Sequence, residues 1–208
     1  MKPISLTALL TCFVFIAHTQ ESSDSAEKNW SNNLSMYYYF IPGEKTPPTI
    51  TGYTEHKSLH IECRYNYEDI NSFSAFAGKS FEKEIGKLDV TATPMAGIVV
   101  GHTNGILPGL EFNIDYGMLN LYSENEYMLD FKGKDNYFFY SWSQLSAQIF
   151  KNARAGVLAQ SLRWYQTRFD IQRGVYAEYN LNSFTIDAYY FNPFTNYNFG
   201  TVSVSFAF

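Results

Sequence analysis

The sequence predicts an all-β protein, a closed antiparallel transmembrane β-barrel of about twelve strands, and the pattern is also compatible with ten. Three observations predict this fold class. The chain begins with the features of an export signal, it continues in segments of roughly ten residues with alternating apolar and polar side chains, and aromatic residues crowd the segment ends. Because successive strand side chains point to opposite faces, each segment has one apolar and one polar face.

The N-terminus predicts export. Lys2 precedes an apolar run over residues 6–17, and Ala17-His18-Thr19 has the small-x-small form of a cleavage site. This run is too short to cross a bilayer as a helix, which takes about 20 residues. We therefore predict a cleaved signal peptide over 1–19, a polar N-terminal segment over 20–29 and one barrel domain over 30–208.

The alternating segments define the strands, and Gly, Asn, Asp and Lys turns separate them. The clearest is 59–68, in which Leu59, Ile61 and Tyr67 fall on the apolar face. Glu62 and Arg64 fall on its polar face. The predicted strands are 30–41, 48–56, 59–68, 72–82, 88–100, 106–116, 118–131, 136–149, 155–166, 169–180, 183–193 and 197–208.

The links between these strands alternate in length. Tight links such as 56–58 and 181–182 follow even-numbered strands, whereas longer links such as 42–47 and 192–200 follow odd-numbered strands. Short turns on one side and longer loops on the other, with both termini on the short-turn side, are typical of transmembrane barrels.

Strand length and aromatic content favour a membrane barrel over a soluble β-sandwich or lipocalin-like barrel, which also alternates but keeps its apolar side chains inside. A tilted strand crosses a bilayer in about 9–11 residues, and most of the predicted strands reach that length. Aromatic clusters at 37–40, 137–140 and 189–191 fit the girdles at a membrane–water interface.

The C-terminal strand resembles that of a known class of proteins. Residues 201–208, TVSVSFAF, alternate strictly and end on Phe208, and they resemble the C-terminal signal strand of bacterial outer-membrane barrel proteins. The segments 64–71, 101–109, 122–127 and 169–174 also resemble uncharacterised small bacterial barrel proteins. The resemblance implies the bacterial outer membrane and recognition by the outer-membrane insertion machinery, and it implies no activity.

Composition limits the partners. The formal net charge is -5 at pH 7 and no basic stripe is present, which argues against a nucleic-acid partner. The sequence contains no cofactor motif and no calcium loop of the D-x-D-x-D-G form, so we predict neither a cofactor nor a metal site. The expected partners are the lipid bilayer, the insertion machinery and a small hydrophilic solute.

If the apolar faces meet lipid, the polar faces line the lumen. An acidic wet lumen would favour cations or polyhydroxylated solutes. Alternatively, Arg64 and Arg163 could pair with carboxylates and fill the barrel, because twelve strands lie between the eight that side chains fill and the 16–18 of open porins. The candidate lumen and solute-contacting residues are Glu62, Arg64, Glu68, Glu111, Asp115, Glu124, Glu126, Tyr140, Trp142, Arg163 and Asp170.

Three functions follow from this set. The first is a narrow pore or solute-binding barrel with an acidic lumen and no enzymatic activity, in which inward Tyr140 and Trp142 either stack on sugars or fill space. The second is a closed structural or surface-interaction barrel without transport. The third is a barrel lipid hydrolase that uses His102, with Ser141, Ser143 and Asp130 as candidate partners.

Overall fold

The computed structural model describes residues 30–164, 167 and 170–208. The predicted signal peptide and the polar segment over 20–29 lie outside these residues, and so do parts of the link before the predicted strand 169–180. Within the described part of the chain, no helix has the length and apolar character needed to span a bilayer.

The described residues form thirteen strands and one short 3-10 turn, Lys134–Asn136. The strands are β1 Ser31–Phe40, β2 Thr49–His56, β3 Leu59–Tyr65, β4 Ser72–Lys79, β5 Phe81–Ile85, β6 Leu88–Gly101, β7 Gly105–Tyr116, β8 Leu119–Asp130, β9 Phe138–Phe150, β10 Ala153–Trp164, β11 Asp170–Leu181, β12 Phe184–Phe191 and β13 Phe199–Ala207.

These strands close into an antiparallel barrel of twelve positions, which confirms the predicted fold class. Each strand pairs with its sequence neighbour, and β1 pairs with β13 from Asn33↔Ala207 to Phe40↔Gly200. β4 and β5 share one position because both pair with β6. Closure pairs the sheet edges along most of the wall, as strands in lipid require, and among the described residues β5 has β6 as its one partner strand.

The predicted strand 72–82 is divided at Ser80, which separates β4 from β5. Pro94 lies on β6 between the two paired stretches, and a proline has no amide proton to give to the ladder. The Ser80 amide instead donates to the carbonyl of Ser58 at 2.8 Å, and its hydroxyl contacts Thr93 at 2.9 Å. The strand is therefore interrupted without a change of register.

Burial shows which face of each strand is outside. On β6, Ile98 and Val100 are 58% and 44% exposed, whereas Val99 between them is fully buried. On β1, Met36, Tyr38 and Phe40 are likewise exposed. An apolar outer face around a more polar interior is the arrangement of a barrel that lies in lipid.

The connections differ between the two ends of the barrel, as predicted. We call the end that carries Ser31 and Phe208 the terminal end, and the opposite end the loop end. Two-residue links at 57–58, 86–87, 117–118, 151–152 and 182–183 all lie at the terminal end. Four of these links contain a residue with positive φ, at Lys57, Gly86, Gly117 and Asn182, which is the backbone conformation that tight hairpins need.

The predicted strand 59–68 ends early, at Tyr65. Asn66 adopts a left-handed φ of 58°, and its side-chain oxygen accepts a hydrogen bond from the Asn71 amide at 2.8 Å. The chain therefore leaves the sheet and folds back into the barrel, carrying Tyr67 and Glu68 with it. The prediction that Tyr67 faces lipid is wrong for this reason.

The interior is not uniformly polar. One apolar cluster joins β4, β6, β7, β8 and β9, and a second joins β10, β11 and β12. The first contains Phe76, Met95, Val99, Leu107, Met128 and Phe138, and the second contains Leu158, Tyr176, Tyr189 and Phe191. Side chains thus fill part of the space that an open pore would leave to water.

Close strand packing at Gly156 gives a test of this architecture. A Cβ at Gly156 would lie 2.2 Å from the carbonyl oxygen of Leu145, whereas one at Gly200 would lie 3.7 Å from its nearest atom. We expect Gly156→Ala to lower the free energy of unfolding by about 1–3 kcal/mol. Gly200→Ala, the matched control, should leave it nearly unchanged. The measurement is urea unfolding of the vesicle-folded barrel followed by tryptophan fluorescence, and equal midpoints would contradict this packing.

Candidate solute-binding lumen

A buried arginine organises the charged residues of the lumen. Arg64 lies on the inner face of β3 and is 1% exposed. Its Nη2 donates to Glu62 at 2.8 Å, and its Nη1 donates to Glu124 at 3.0 Å and to Glu126. Two further carboxylates lie at ion-pair distance, Glu68 at 3.6 Å and Glu111 at 3.9 Å. We call these six residues the arginine cluster.

Strand register explains how distant parts of the chain meet here. Glu111 on β7 pairs directly with Glu124 on β8, so both carboxylates leave the wall at the same height. Glu126 is the next inward residue along β8. Glu68 comes from the link after β3, where the Ser74 hydroxyl donates to it at 2.7 Å.

The arginine cluster is strongly acidic, because its five carboxylates face one guanidinium. Arg64 also lies over the rings of Tyr67 and Phe76, 4.5 Å and 4.4 Å from their centroids. The Tyr67 hydroxyl donates to Glu124 at 3.0 Å. These contacts help to offset the cost of burying charge, and five carboxyl groups remain around one guanidinium.

Two chambers lie in the described part of the lumen, and a third, smaller cavity shares lining residues with each of them. The terminal-end chamber, of about 530 Å³, is bounded by residues that include Glu55, His60, Glu62, Glu111 and Glu124. The loop-end chamber, of about 790 Å³, is bounded by Tyr39, Glu44, Asp170, Gln172 and the link after β12.

Aromatic side chains line this smaller cavity, which we call the tyrosine constriction. It encloses about 80 Å³ and shares lining residues with both chambers. It is bounded by Tyr37, Tyr39, Tyr67, Tyr122, Tyr140 and Tyr189, together with Glu124, Trp142 and Gln144.

Tyr140 and Trp142 both face the lumen. Tyr140 packs edge-on against Tyr67 at 5.9 Å between ring centroids. Trp142 packs edge-on against Tyr189 at 5.5 Å and donates from Nε1 to Gln144. Their rings therefore already contact other aromatic groups, which fits the space-filling role at least as well as sugar stacking.

The remaining predicted residues do not join the arginine cluster. Asp115 lies on the inner wall near the terminal end, where Asn113 and Asn120 donate to it at 2.6 Å and 2.9 Å. Asp170 begins β11 and borders the loop-end chamber. These two carboxylates could contact a solute at the ends of the barrel rather than at its centre.

Arg163 is a correction to the predicted lumen set. It pairs with Phe139 on β9, it is exposed, and it alternates with inward Leu162, so it lies on the outer face. Its Nε donates to the carbonyl of Thr167 at 3.2 Å, near the loop end. The interpretation that Arg163 pairs with lumen carboxylates is therefore wrong.

His102 has partners other than those proposed for a hydrolase. Its Nδ1 lies 2.6 Å from Asp69, which also accepts from the Thr103 hydroxyl. Ser141 and Ser143 instead face outward from β9 and contact Asn125 and Ser123, each at 2.9 Å. The third candidate, Asp130, accepts from the Lys132 amide and from Asn136. His102 is thus part of a link-to-link contact at the loop end.

Sequence reasoning missed several residues that line the lumen. The aromatic cluster over 37–40 predicts an interfacial girdle, but Tyr37 and Tyr39 alternate with the outward Met36, Tyr38 and Phe40 and line the lumen. Strict alternation along β1 was the signal that could have placed them inside. The predicted lumen set also lacks His60, although it shares a strand face with Glu62 and Arg64.

No family model matches the chain, and no curated protein is similar to it in sequence. Solved structures do share its fold. They include the KdgM porin (TM-score 0.58, 12% identity, 86% of this chain and 99% of that chain). A second is the KdgM porin in complex with disordered oligogalacturonate (TM-score 0.59, 11% identity, 86% of this chain and 99% of that chain). A third is the NanC porin (TM-score 0.53, 9% identity, 85% of this chain and 98% of that chain).

These likenesses define the class of fold, a closed antiparallel barrel of the outer-membrane porin type. Within that class the chain is a twelve-position barrel whose lumen holds the arginine cluster and the tyrosine constriction.

Removing Arg64 tests whether the cluster holds the barrel together. In Arg64→Met the surrounding carboxylates lose their buried counter-charge, so we expect the free energy of unfolding to fall by about 3–5 kcal/mol. Arg173 is exposed on β11 and provides the matched control. Arg173→Met should change stability by less than about 0.5 kcal/mol. Urea unfolding in lipid vesicles measures both, and similar midpoints would show that the cluster contributes little.

Proposed function

We propose that this protein is an outer-membrane barrel that acts as a narrow, cation-favouring pore or solute-binding barrel. The observation that supports it best is the terminal-end chamber, a space of about 530 Å³ with carboxylates on its wall that continues into the tyrosine constriction. The export signal and the C-terminal strand ending at Phe208 support the outer membrane as the location and its insertion machinery as a partner.

Charge determines which solutes the chamber favours. Glu55, Glu62, Glu111 and Glu124 all border it, and the Glu111 side chain is 18% exposed. Carboxylates around a confined space with low-dielectric walls attract cations and repel anions. We therefore expect cations and neutral hydrophilic solutes to enter more readily than anions.

The size of the constriction limits the solute further. The cavity at the constriction, about 80 Å³, is far smaller than the chambers of about 530 Å³ and 790 Å³. The tyrosine hydroxyls around it can donate and accept hydrogen bonds, as a partly dehydrated ion or a polyhydroxylated solute requires. Small solutes fit this geometry better than oligomers do.

The solute in the similar structure does not transfer to this chain. Oligogalacturonate, present in one KdgM porin structure, carries many carboxylates. The acidic arginine cluster would repel such a polyanion, because like charges close together in a confined space cost free energy. We infer a difference in charge preference despite the shared fold.

Neutralising the chamber tests this selectivity. We expect the vesicle-folded or detergent-refolded chain to give cation-selective current steps in a planar bilayer with a salt gradient. Glu111→Gln combined with Glu124→Gln should move the reversal potential toward zero, because two wall charges are lost. Glu111→Gln alone, which leaves the Arg64–Glu124 pair intact, should move it by a smaller amount.

The control for this experiment is Asp135→Asn, since Asp135 lies in the exposed link after β8, in the 3-10 turn. It should leave the reversal potential unchanged. Anion selectivity in the unmodified chain, or an equal effect of Asp135→Asn, would contradict the acidic-lumen proposal.

The constriction offers a second test with adjacent residues on one strand. Tyr39 borders both the constriction and the loop-end chamber, whereas Tyr38 points outward and is 43% exposed. Tyr39→Ala should raise single-channel conductance by about twofold or more, because it widens the narrowest part of the path. Tyr38→Ala should leave conductance unchanged. Equal conductance in both variants would place the limiting region elsewhere.

A closed structural barrel is the second candidate function. The two apolar clusters and the many contacts of Arg64 favour it, since both fill the lumen with packed side chains. If the inserted barrel passes no current, and the Tyr39→Ala variant passes none either, the closed structural barrel is supported over the pore.

A further inference from the structure

His60 is buried in the lumen with one ring nitrogen that has no hydrogen-bond partner. The residue is 3% exposed and borders the terminal-end chamber. Its Nδ1 lies 3.0 Å from a carboxylate oxygen of Glu55, but its Nε2 makes no hydrogen bond to any described residue. Buried polar atoms without partners are rare in proteins, so this nitrogen requires an explanation.

The surroundings of His60 hold its ring in one orientation. The ring stacks on Tyr53 with 5.6 Å between centroids, and Glu55 approaches the Nδ1 edge. With Nδ1–H donating to Glu55, the neutral imidazole keeps a lone pair on Nε2. A histidine that binds a metal almost always donates its other N–H to a carboxylate or carbonyl in this way.

Two carboxylates lie in front of that lone pair. One ligand atom each from His60, Glu62 and Glu111 lie within 4.8 Å of one another. The distance from His60 Nε2 to the nearer Glu62 oxygen is 3.7 Å, which is too long for a hydrogen bond. Metal–ligand bonds of about 2.0–2.2 Å would span such a gap after small rotations of the glutamates.

We propose that His60, Glu62 and Glu111 bind a divalent transition-metal ion of the zinc class at the wall of the terminal-end chamber. This site goes beyond the proposed passage of solutes and does not require the barrel to conduct. One imidazole and two carboxylates suit such an ion better than Ca²⁺, which prefers six to eight oxygen ligands.

The charge balance of the arginine cluster favours a bound cation. Arg64 lies 2.8 Å from Glu62 and 3.9 Å from Glu111, so its positive charge opposes a metal ion placed between them. Glu68, Glu124 and Glu126 share the same guanidinium, however, and the cluster remains acidic overall. A divalent ion would reduce the repulsion among these carboxylates.

The chamber completes the coordination. Three protein ligands with an open position for water form the arrangement of zinc sites that remain accessible to small molecules. The space of about 530 Å³ beside the three ligands can hold that water and gives the ion a route to the terminal end.

Zinc titration of the full chain, refolded in detergent and freed of metal with a chelator, tests the site. Isothermal titration calorimetry should give one tight Zn²⁺ site, and Co²⁺ in its place should give visible absorption bands. His60→Gln and Glu111→Gln should each weaken Zn²⁺ binding at least tenfold. Glu55→Gln should weaken it by about 10–100-fold, because Glu55 orients the histidine without touching the metal.

The matched control is His102→Gln, because His102 also contacts a carboxylate but lies at the exposed loop end. It should leave the tight site unchanged. The proposal is overturned if the unmodified chain binds no Zn²⁺, or if folded His60→Gln binds it as tightly. Zinc binding is measured without a membrane current, so the two proposals can fail separately. A barrel that binds Zn²⁺ but passes no current would contradict the pore and support the metal site.

Discussion

Closure of the barrel between β1 and β13 is the constraint on which the rest of the structure depends. A strand in lipid has no water to satisfy its backbone, so each strand needs a partner on both sides. The ladder from Asn33↔Ala207 to Phe40↔Gly200 supplies the last of these partners. Once the sheet is closed, alternating side chains must divide between lipid and lumen. Outward Met36 and inward Ser35 on the same strand show this division.

The polar interior that closure creates must balance its own charge. A barrel of twelve positions is wider than side chains alone easily fill and narrower than an open porin. Two apolar clusters and the arginine cluster fill part of this interior. The members of the arginine cluster come from β3, β7, β8 and one link. Because Arg64 balances only part of the negative charge, the remainder must be met by protons, passing cations or a bound ion.

The sequence predicted what alternation controls and missed what depends on local turns and on register across the barrel. The twelve strand positions and the inward orientation of Glu62 and Glu124 follow from the two-residue alternation of side chains along a strand. Tyr67 was misplaced because one left-handed residue, Asn66, ends β3 before it. Arg163 lies on the outer face because it alternates with inward Leu162, and its charge alone does not determine which way it points. The meeting of Arg64 with Glu126 depends on strand stagger, which no local pattern encodes.

The width of the lumen depends on a link as well as on the strands. Of the six tyrosines at the constriction, five lie on strands, and Tyr67 lies between β3 and β4. That link is held at its base by Asn66 and Asn71, and Asp69 ties it to His102 and Thr103 across the loop end. Tyr67 also bonds to Glu124 of the arginine cluster. The position of the Tyr67 ring therefore depends both on the link contacts at the loop end and on the arginine cluster within the lumen.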